Sequence, residues 1–238
     1  MNEKDLNFDR KKHVCYSKKV KKVIQEHLRM HYPADEADEL WEKIQLQYVE
    51  FLKDLPYLGG KKCTHNGVGG TYDCIAIFAY YEVQEKKPLI DELYEMNNKT
   101  FLPSFEILGK VVNANNPFIL RLMNGAFVST AKKDNQKSEE IPNGYIMKVA
   151  PYDKEKGIHY QFDRCPIAEF AKVHNYLDLM PAFCNGDYPA MELMHAGLIR
   201  KHTCANSNIC DYWIVGDESP YLKEHPKKTD EKGYWFND

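Results

Sequence analysis

Apolar positions recur every three to four residues through the first half of this chain, and every second residue through much of the second half. That change of period divides it. In 17–31 (SKKVKKVIQEHLRMH), Val20, Val23, Ile24 and Leu28 fall on one helical face. Pro33 ends this helix, since proline brings no N–H to continue the ladder. Asp35 opens a second helix, with Leu40, Trp41, Ile44, Tyr48, Phe51 and Leu52 as its apolar stripe. A glycine-rich loop follows, and further helices are expected over 72–84, 88–97, 101–112 and 117–129. The density of apolar residues in the last of these (Phe118, Ile119, Leu120, Leu122, Met123, Phe127) predicts a well-buried element. The polar run 132–144 ends in Pro-Asn-Gly and reads as a linker or exposed loop.

Beyond it, 144–153 and 157–166 read as a hairpin, and Pro166 starts an amphipathic helix. A loop over 180–190 leads to a short helix and then a second hairpin. Its strands are expected at 197–205 and 209–215, with Asn206-Ser207-Asn208 at the turn. The fold class is therefore α+β. A helical N-terminal half (about 10–130) packs on an antiparallel sheet of about four strands, two hairpins joined by a helix. Residues 1–216 are read as one domain and 217–238 as a polar, loosely attached tail.

Composition narrows the function. The 238 residues carry a net charge of -3, with 43% hydrophobic and 28% charged side chains, an ordinary globular balance. This gives no electrostatic case for nucleic acid or an anionic membrane. The basic run 11–22 is answered at once by acids and reads as a solvated helix face. No stretch approaches the roughly 18 apolar residues of a membrane helix. The opening MNEKDLNFDRKKH lacks the apolar core of a secretion signal. With seven cysteines, an odd number, the thiols are expected reduced in a cytoplasmic protein. No CxxC pair or standard zinc spacing occurs, so no metal or cofactor is expected. The glycines of 59–73 lack the GxxxxGK[ST] pattern of a phosphate-binding loop.

The densest chemistry lies in 181–215. Cys184, Cys204 and Cys210 fall there with Asp187, Asp211, His195, His202 and Arg200. Thiols and imidazoles become nucleophiles or bases near neutral pH. In a regular strand Arg200, His202 and Cys204 share one face, and Lys201 and Thr203 the other. Cys210 pairs with Tyr212 by face, and Asp211 with Trp213. The hairpin register stays open: a two-residue turn sets Cys204 opposite Asp211, and a four-residue turn flips the parity. Cys204 and Cys210 equally suit small core fillers. Asp187 suits a helix cap. Asp211, in an apolar strand, needs a partner if buried. His159 and Gln161 give the first hairpin one polar face, while His174 and His195 read as packing or surface residues. Tyr72 and Asp73 suit a helix cap or a pocket wall.

The order Cys165-Pro166, then PxFCxxD (181–187), then RxxTxAxxxxCD (200–211) resembles the L-2-aminothiazoline-4-carboxylic acid hydrolase family. The chain departs from the expected pattern at the glycine-free turn 206–208 and at Cys204, where an aliphatic residue is usual. The resemblance implies hydrolytic opening of a small cyclic amidine that bears a carboxylate. Such chemistry asks for a nucleophile, a proton for the departing ring nitrogen and a carboxylate for the amidinium. Cys184 or Cys210 is the expected nucleophile. Asp187 and Asp211 are expected as amidinium holders or acid/base groups, and His202 as proton carrier. Arg200 is expected to take the substrate carboxylate, with Thr203, Asn206, His159 and Tyr72 as further contacts. The expected partner is a small-molecule substrate, with no nucleic acid and no membrane, in a chain compatible with a homo-oligomer. The alternative is a non-catalytic small-molecule binding or sensing module that uses its cysteines as apolar lining. A third reading, recruitment of partners by the tail, rests on tail composition alone.

Overall fold

The computed structural model describes residues 15–55, 58, 67–136 and 143–238. The glycine-rich loop 59–66 lies outside these residues, so the phosphate-loop question does not arise from them. The chain forms two compact units. The first holds the described residues up to Thr100 together with Asn143, and the second holds 101–136 and 144–238.

The first unit is helical: α1 (Lys18–His31), α2 (Ala34–Asp54), α3 (Gly67–Val83) and α4 (Ile90–Phe101). The stripes read from sequence are mostly buried, Val23 and Leu40 being only half-buried. Val20, Ile24 and Leu28 on α1 and Trp41, Ile44, Tyr48, Phe51 and Leu52 on α2 lie inside. From Tyr72 to Tyr80, α3 is apolar nearly all round, and a helix of that kind belongs at the centre of a bundle. Asp73 ties α1 to α3. Its carboxylate accepts the Ser17 backbone N–H at 2.6 Å and the Ser17 hydroxyl at 2.8 Å, while Ser17 Oγ caps α1 by accepting from Val20. Burial raises the Asp73 pKa, and the two Ser17 donors oppose that rise.

The second unit opens with α5 (Pro103–Gly109) and α6 (Pro117–Gln136). The start of the expected linker, 132–136, is thus helix, because Lys132 and Lys133 continue the helical ladder with no glycine or proline to stop it. On α6, Leu120, Asn124 and Ala131 are buried, but Phe118 and Leu122 are 67% and 56% exposed. The expectation of a well-buried helix is corrected: a helix laid on a sheet buries one side only. The sheet comprises β1 (Ile146–Val149), β2 (Ile158–Arg164), β3 (Ala196–Ile199) and β4 (Cys210–Gly216), in the order β1-β2-β4-β3. All neighbours are antiparallel, and β2 and β4 join the two hairpins side by side. Between β2 and β3 the chain forms α7 (Pro166–Val173), α8 (Pro181–Cys184) and α9 (Asp187–Glu192). The expected loop around Cys184 is therefore two short helices.

Period two sorts the central strands. Tyr160, Phe162, Cys210, Tyr212 and Ile214 share one face, where Tyr160 stacks on Tyr212 at 4.7 Å and on Phe127 of α6 at 4.7 Å. Each such aromatic pair contributes about 0.5–1.5 kcal/mol beyond area burial. His159, Gln161, Asp211 and Trp213 share the other face, with His159 stacked on Trp213 at 4.1 Å. The tail is not loose. It forms α10 (Pro220–Glu224), β5 (Lys227–Thr229) and β6 (Trp235–Asn237), and buries Tyr234 and Asn237.

Gly157 closes the first hairpin at φ +75, and a Cβ there would stand 2.1 Å from the Ile214 carbonyl oxygen. Both the left-handed backbone and the close approach require glycine. Gly157→Ala is expected to destabilise the protein by about 1–3 kcal/mol, read as a lowered midpoint in urea unfolding.

Candidate active site

The second hairpin pairs over a short length. Ala196–Ile199 meet Trp213–Gly216, and residues 200–209 then leave the sheet. Arg200, His202 and Cys204 therefore do not alternate along a strand. Asp211 stands opposite Gln161 of β2, not opposite Cys204. The cause lies in local hydrogen bonding. Asp211 Oδ1 accepts the backbone N–H groups of Lys201 (3.2 Å) and His202 (2.8 Å). Asn206 Oδ1 accepts from the Thr203 backbone at 2.9 Å and its hydroxyl at 3.1 Å. Side chains that satisfy nearby backbone groups draw the chain out of the ladder.

Released from the strand, Arg200 turns inward and is 0% exposed. Its Nη1 donates to Asp187 Oδ2 at 2.9 Å and to the Cys184 carbonyl at 2.9 Å, and its Nη2 to the Trp235 carbonyl at 3.3 Å. The guanidinium carbon lies 5.1 Å from the Tyr188 ring centre and 5.6 Å from that of Tyr212, a desolvated cation–π sandwich. Asp187 begins α9, but the cap position is Gly186 and no side-chain cap bond forms. The Asp187 carboxylate faces inward instead. Its Oδ2 also accepts the Tyr212 hydroxyl at 3.0 Å. Its Oδ1 has no partner among the described residues, and the side chain keeps 31% exposure. Burial raises the Asp187 pKa, against the pull of Arg200 and Tyr212. The carboxylate is thus partly desolvated and still reachable.

Four thiols gather on this side of the sheet, and their surroundings divide them. Burial drives the Cys184 pKa well up and the Cys165 pKa to about 12. Cys210 goes the other way. Its pKa is lowered by the Cys204 thiol as hydrogen-bond donor, helped by the Cys204 backbone N–H at 3.0 Å and the Arg200 charge, against burial. Cys204 keeps the proton of the pair. Of these thiols, Cys210 is the one whose surroundings favour the anion.

The sequence-predicted residues separate accordingly. Cys184, Asp187, Arg200 and Cys210 converge. Asp211, His159 and His202 do not. Asp211 holds the turn backbone, and His159 stacks on the other face of the sheet. His202 is exposed, on the turn. Thr203 is buried in the turn, Asn206 is exposed on it, and Tyr72 is buried on α3 of the first unit. Arg200 has no exposed surface, and both its Nη groups are engaged, Nη1 with Asp187, while its buried Nε has no partner among the described residues. Sequence reasoning missed Tyr188, Tyr212 and Trp235. For Tyr212 the signal was present, since it shares a strand face with Cys210. Among the described residues no group of three or more His, Cys, Asp or Glu side chains converges as a metal site.

The model of one family, L-2-amino-thiazoline-4-carboxylic acid hydrolase, matches residues 77–214. The chain belongs to that family. The matched span is more than half of the chain and includes Cys184, Asp187, Arg200, Cys210 and Tyr212. No curated protein and no solved structure matches the chain. Among the described residues no helix is long and apolar enough to cross a membrane.

Arg200→Met is expected to cost about 3 kcal/mol in chemical unfolding. This is the low end for breaking a buried ion pair, because Asp187 retains some solvent. Alkylation by iodoacetamide, followed peptide by peptide across pH, is expected to modify Cys210 below the usual thiol range. Cys184 and Cys165 are expected to react only above it, since the thiolate is the reactive form.

Proposed function

We propose that this protein is a hydrolase that opens the ring of a small cyclic amidine of the thiazoline-carboxylate kind, with Cys210 as nucleophile and Asp187 as acid/base. One observation carries the reading: a desolvated but reachable carboxylate, fixed through one oxygen and free at the other, beside a thiol held toward its anionic form. An amidine presents an electrophilic carbon and an adjacent N–H, and these two groups answer both. A carboxyl with a raised pKa is suited to pass a proton near neutrality.

Cys210 Sγ bonds to the amidine carbon, and the proton shared with Asp187 Oδ1 passes to the ring nitrogen. The ring C–N bond then breaks, and a second proton moves from the exocyclic to the ring nitrogen, which departs as an amine. Water adds to the same carbon, giving one proton to Asp187 and the other to the exocyclic nitrogen. The Cys210 thiolate leaves, and the product is an S-carbamoyl thiol bearing a free amine. Arg200 and Tyr212 keep the Asp187 carboxyl in place throughout, and their charge and dipole are fixed before substrate arrives. Cys184, which keeps its proton, packs beside them.

Ring opening of 2-amino-thiazoline-4-carboxylate by purified variants tests this. Cys210→Ala is expected to abolish turnover. Asp187→Asn is expected to lower kcat roughly 10²–10⁴-fold, and Cys184→Ala to retain most of it. Full turnover by Cys210→Ala would remove covalent catalysis. No ring opening by the unaltered chain on a panel of cyclic amidines would remove the substrate class.

A further inference from the structure

The matched family span stops at residue 214, yet Arg200 is held largely from beyond it. Residues 227–237 form a two-stranded ribbon, β5 paired with β6. Asn237 in β6 is 1% exposed and makes three side-chain hydrogen bonds. Its Oδ1 accepts the Arg200 backbone N–H at 3.0 Å and the Tyr188 hydroxyl at 2.9 Å, and its Nδ2 donates to the His225 carbonyl at 2.8 Å. Its own backbone N–H donates to the Arg200 carbonyl at 2.8 Å. Both backbone groups of Arg200 are thus taken by one residue.

The guanidinium end is held by the same ribbon through the Trp235 carbonyl. Asn185, in the turn between Cys184 and Asp187, clamps the ribbon from the other side. It donates to the Gly233 carbonyl at 2.8 Å and accepts the Trp235 N–H at 2.9 Å. A buried polar backbone seldom stays unpaired. Arg200 has left the sheet ladder, so its N–H and C=O need another partner, and the ribbon supplies one.

We infer that Asn237 is a positioning residue for the catalytic site: it fixes Arg200 at both backbone groups, and through Arg200 it fixes the Asp187 carboxylate and the electrostatic setting of Cys210. This rests on the hydrolase reading for its link to turnover, but not for its link to thiol chemistry. Asn237 touches no reacting atom. Its effect travels through one ion pair, and a shift of about 1 Å in a positioned group costs up to roughly a hundredfold in rate.

The experiment measures two quantities on the full chain: the pH midpoint of Cys210 alkylation by iodoacetamide, and kcat and KM for thiazoline ring opening. The charged and titratable groups facing Cys210 are Cys204, Cys165, Cys184, Asp187, Arg200, Tyr160 and Tyr212. Of these, Arg200 is the only cation, so its displacement moves the Cys210 midpoint upward. Asn237→Ala is expected to raise that midpoint and to lower kcat roughly tenfold or more, with KM changing less. Asn237→Asp keeps the acceptor for Arg200 and Tyr188 and is expected to restore part of both. Tyr188→Phe removes one hydrogen bond without changing the stacked ring. It is expected to shift both quantities the same way by a smaller amount, and it carries the test if Asn237→Ala does not fold. An unchanged midpoint and unchanged kcat in Asn237→Ala, or in Tyr188→Phe where that variant carries the test, would overturn the inference. If the unaltered chain opens no ring while Asn237→Ala still raises the midpoint, the substrate reading fails and the positioning role stands.

Discussion

A guanidinium removed from water must find its compensation inside the protein, and the C-terminal unit is arranged around that requirement. Arg200 is the largest fully buried side chain among the described residues. An isolated charge in such a place is prohibitive, and a pair alone does not always offset the desolvation. Here one carboxylate, two main-chain carbonyls and two aromatic faces share the task. They come from the adjacent α8 and α9 and from β4 and β6, which lie further along the chain. Their meeting point is therefore defined by the charge as much as by apolar packing. The cost of the ion is borne locally, and what it yields is a carboxylate of fixed direction.

The fold was legible wherever burial imposes a period. The helical stripes of α1 and α2 and the face alternation of Cys210, Tyr212 and Ile214 follow from spacing alone. Legibility failed where composition stood in for geometry. Phe118 and Leu122 are apolar, but they point away from the sheet on which α6 rests, and nothing in the local sequence says which side that is. The start of the expected linker is polar and helical at once, because lysine, asparagine and glutamine are good or tolerable helix residues.

The site was legible in part and for a specific reason. Cys184, Asp187, Arg200 and Cys210 were singled out by residue type and motif order, and they do meet. Asp211 and His202 were singled out on the same grounds and stand elsewhere, because the strand expected over 197–205 ends at Ile199. The carboxylate of Asp211 is itself the cause, since it ties Lys201 and His202 into a turn. One acid was expected to hold substrate and holds the main chain. Arg200 was expected to take the substrate carboxylate, and its Nη1 pairs with Asp187. The contribution of β6 left no trace in the motifs, for Asn237 acts through an amide side chain and a main-chain N–H that many sequences can supply.

The division among the thiols shows why direction matters more than proximity. Cys165, Cys184 and Cys210 are all desolvated, and Arg200 favours the anion of both Cys184 and Cys210. Burial and a nearby cation are therefore common to the last two and do not explain why their shifts differ in sign. Hydrogen bonds do. The Cys204 N–H points at Cys210 Sγ at 3.0 Å and the neighbouring Cys204 thiol favours the same anion, whereas desolvation governs Cys184. Donors that point at a sulfur stabilise charge there and nowhere else. Cys204 can point its N–H there because residues 200–209 have left the ladder, so that N–H is not committed to a neighbouring strand. The turn that removed Asp211 and His202 from the site is thus what turns Cys204 toward Cys210. The same break in the strand sends Arg200 inward to Asp187, and one local departure from β-structure accounts for both the fixed carboxylate and the lowered Cys210 pKa.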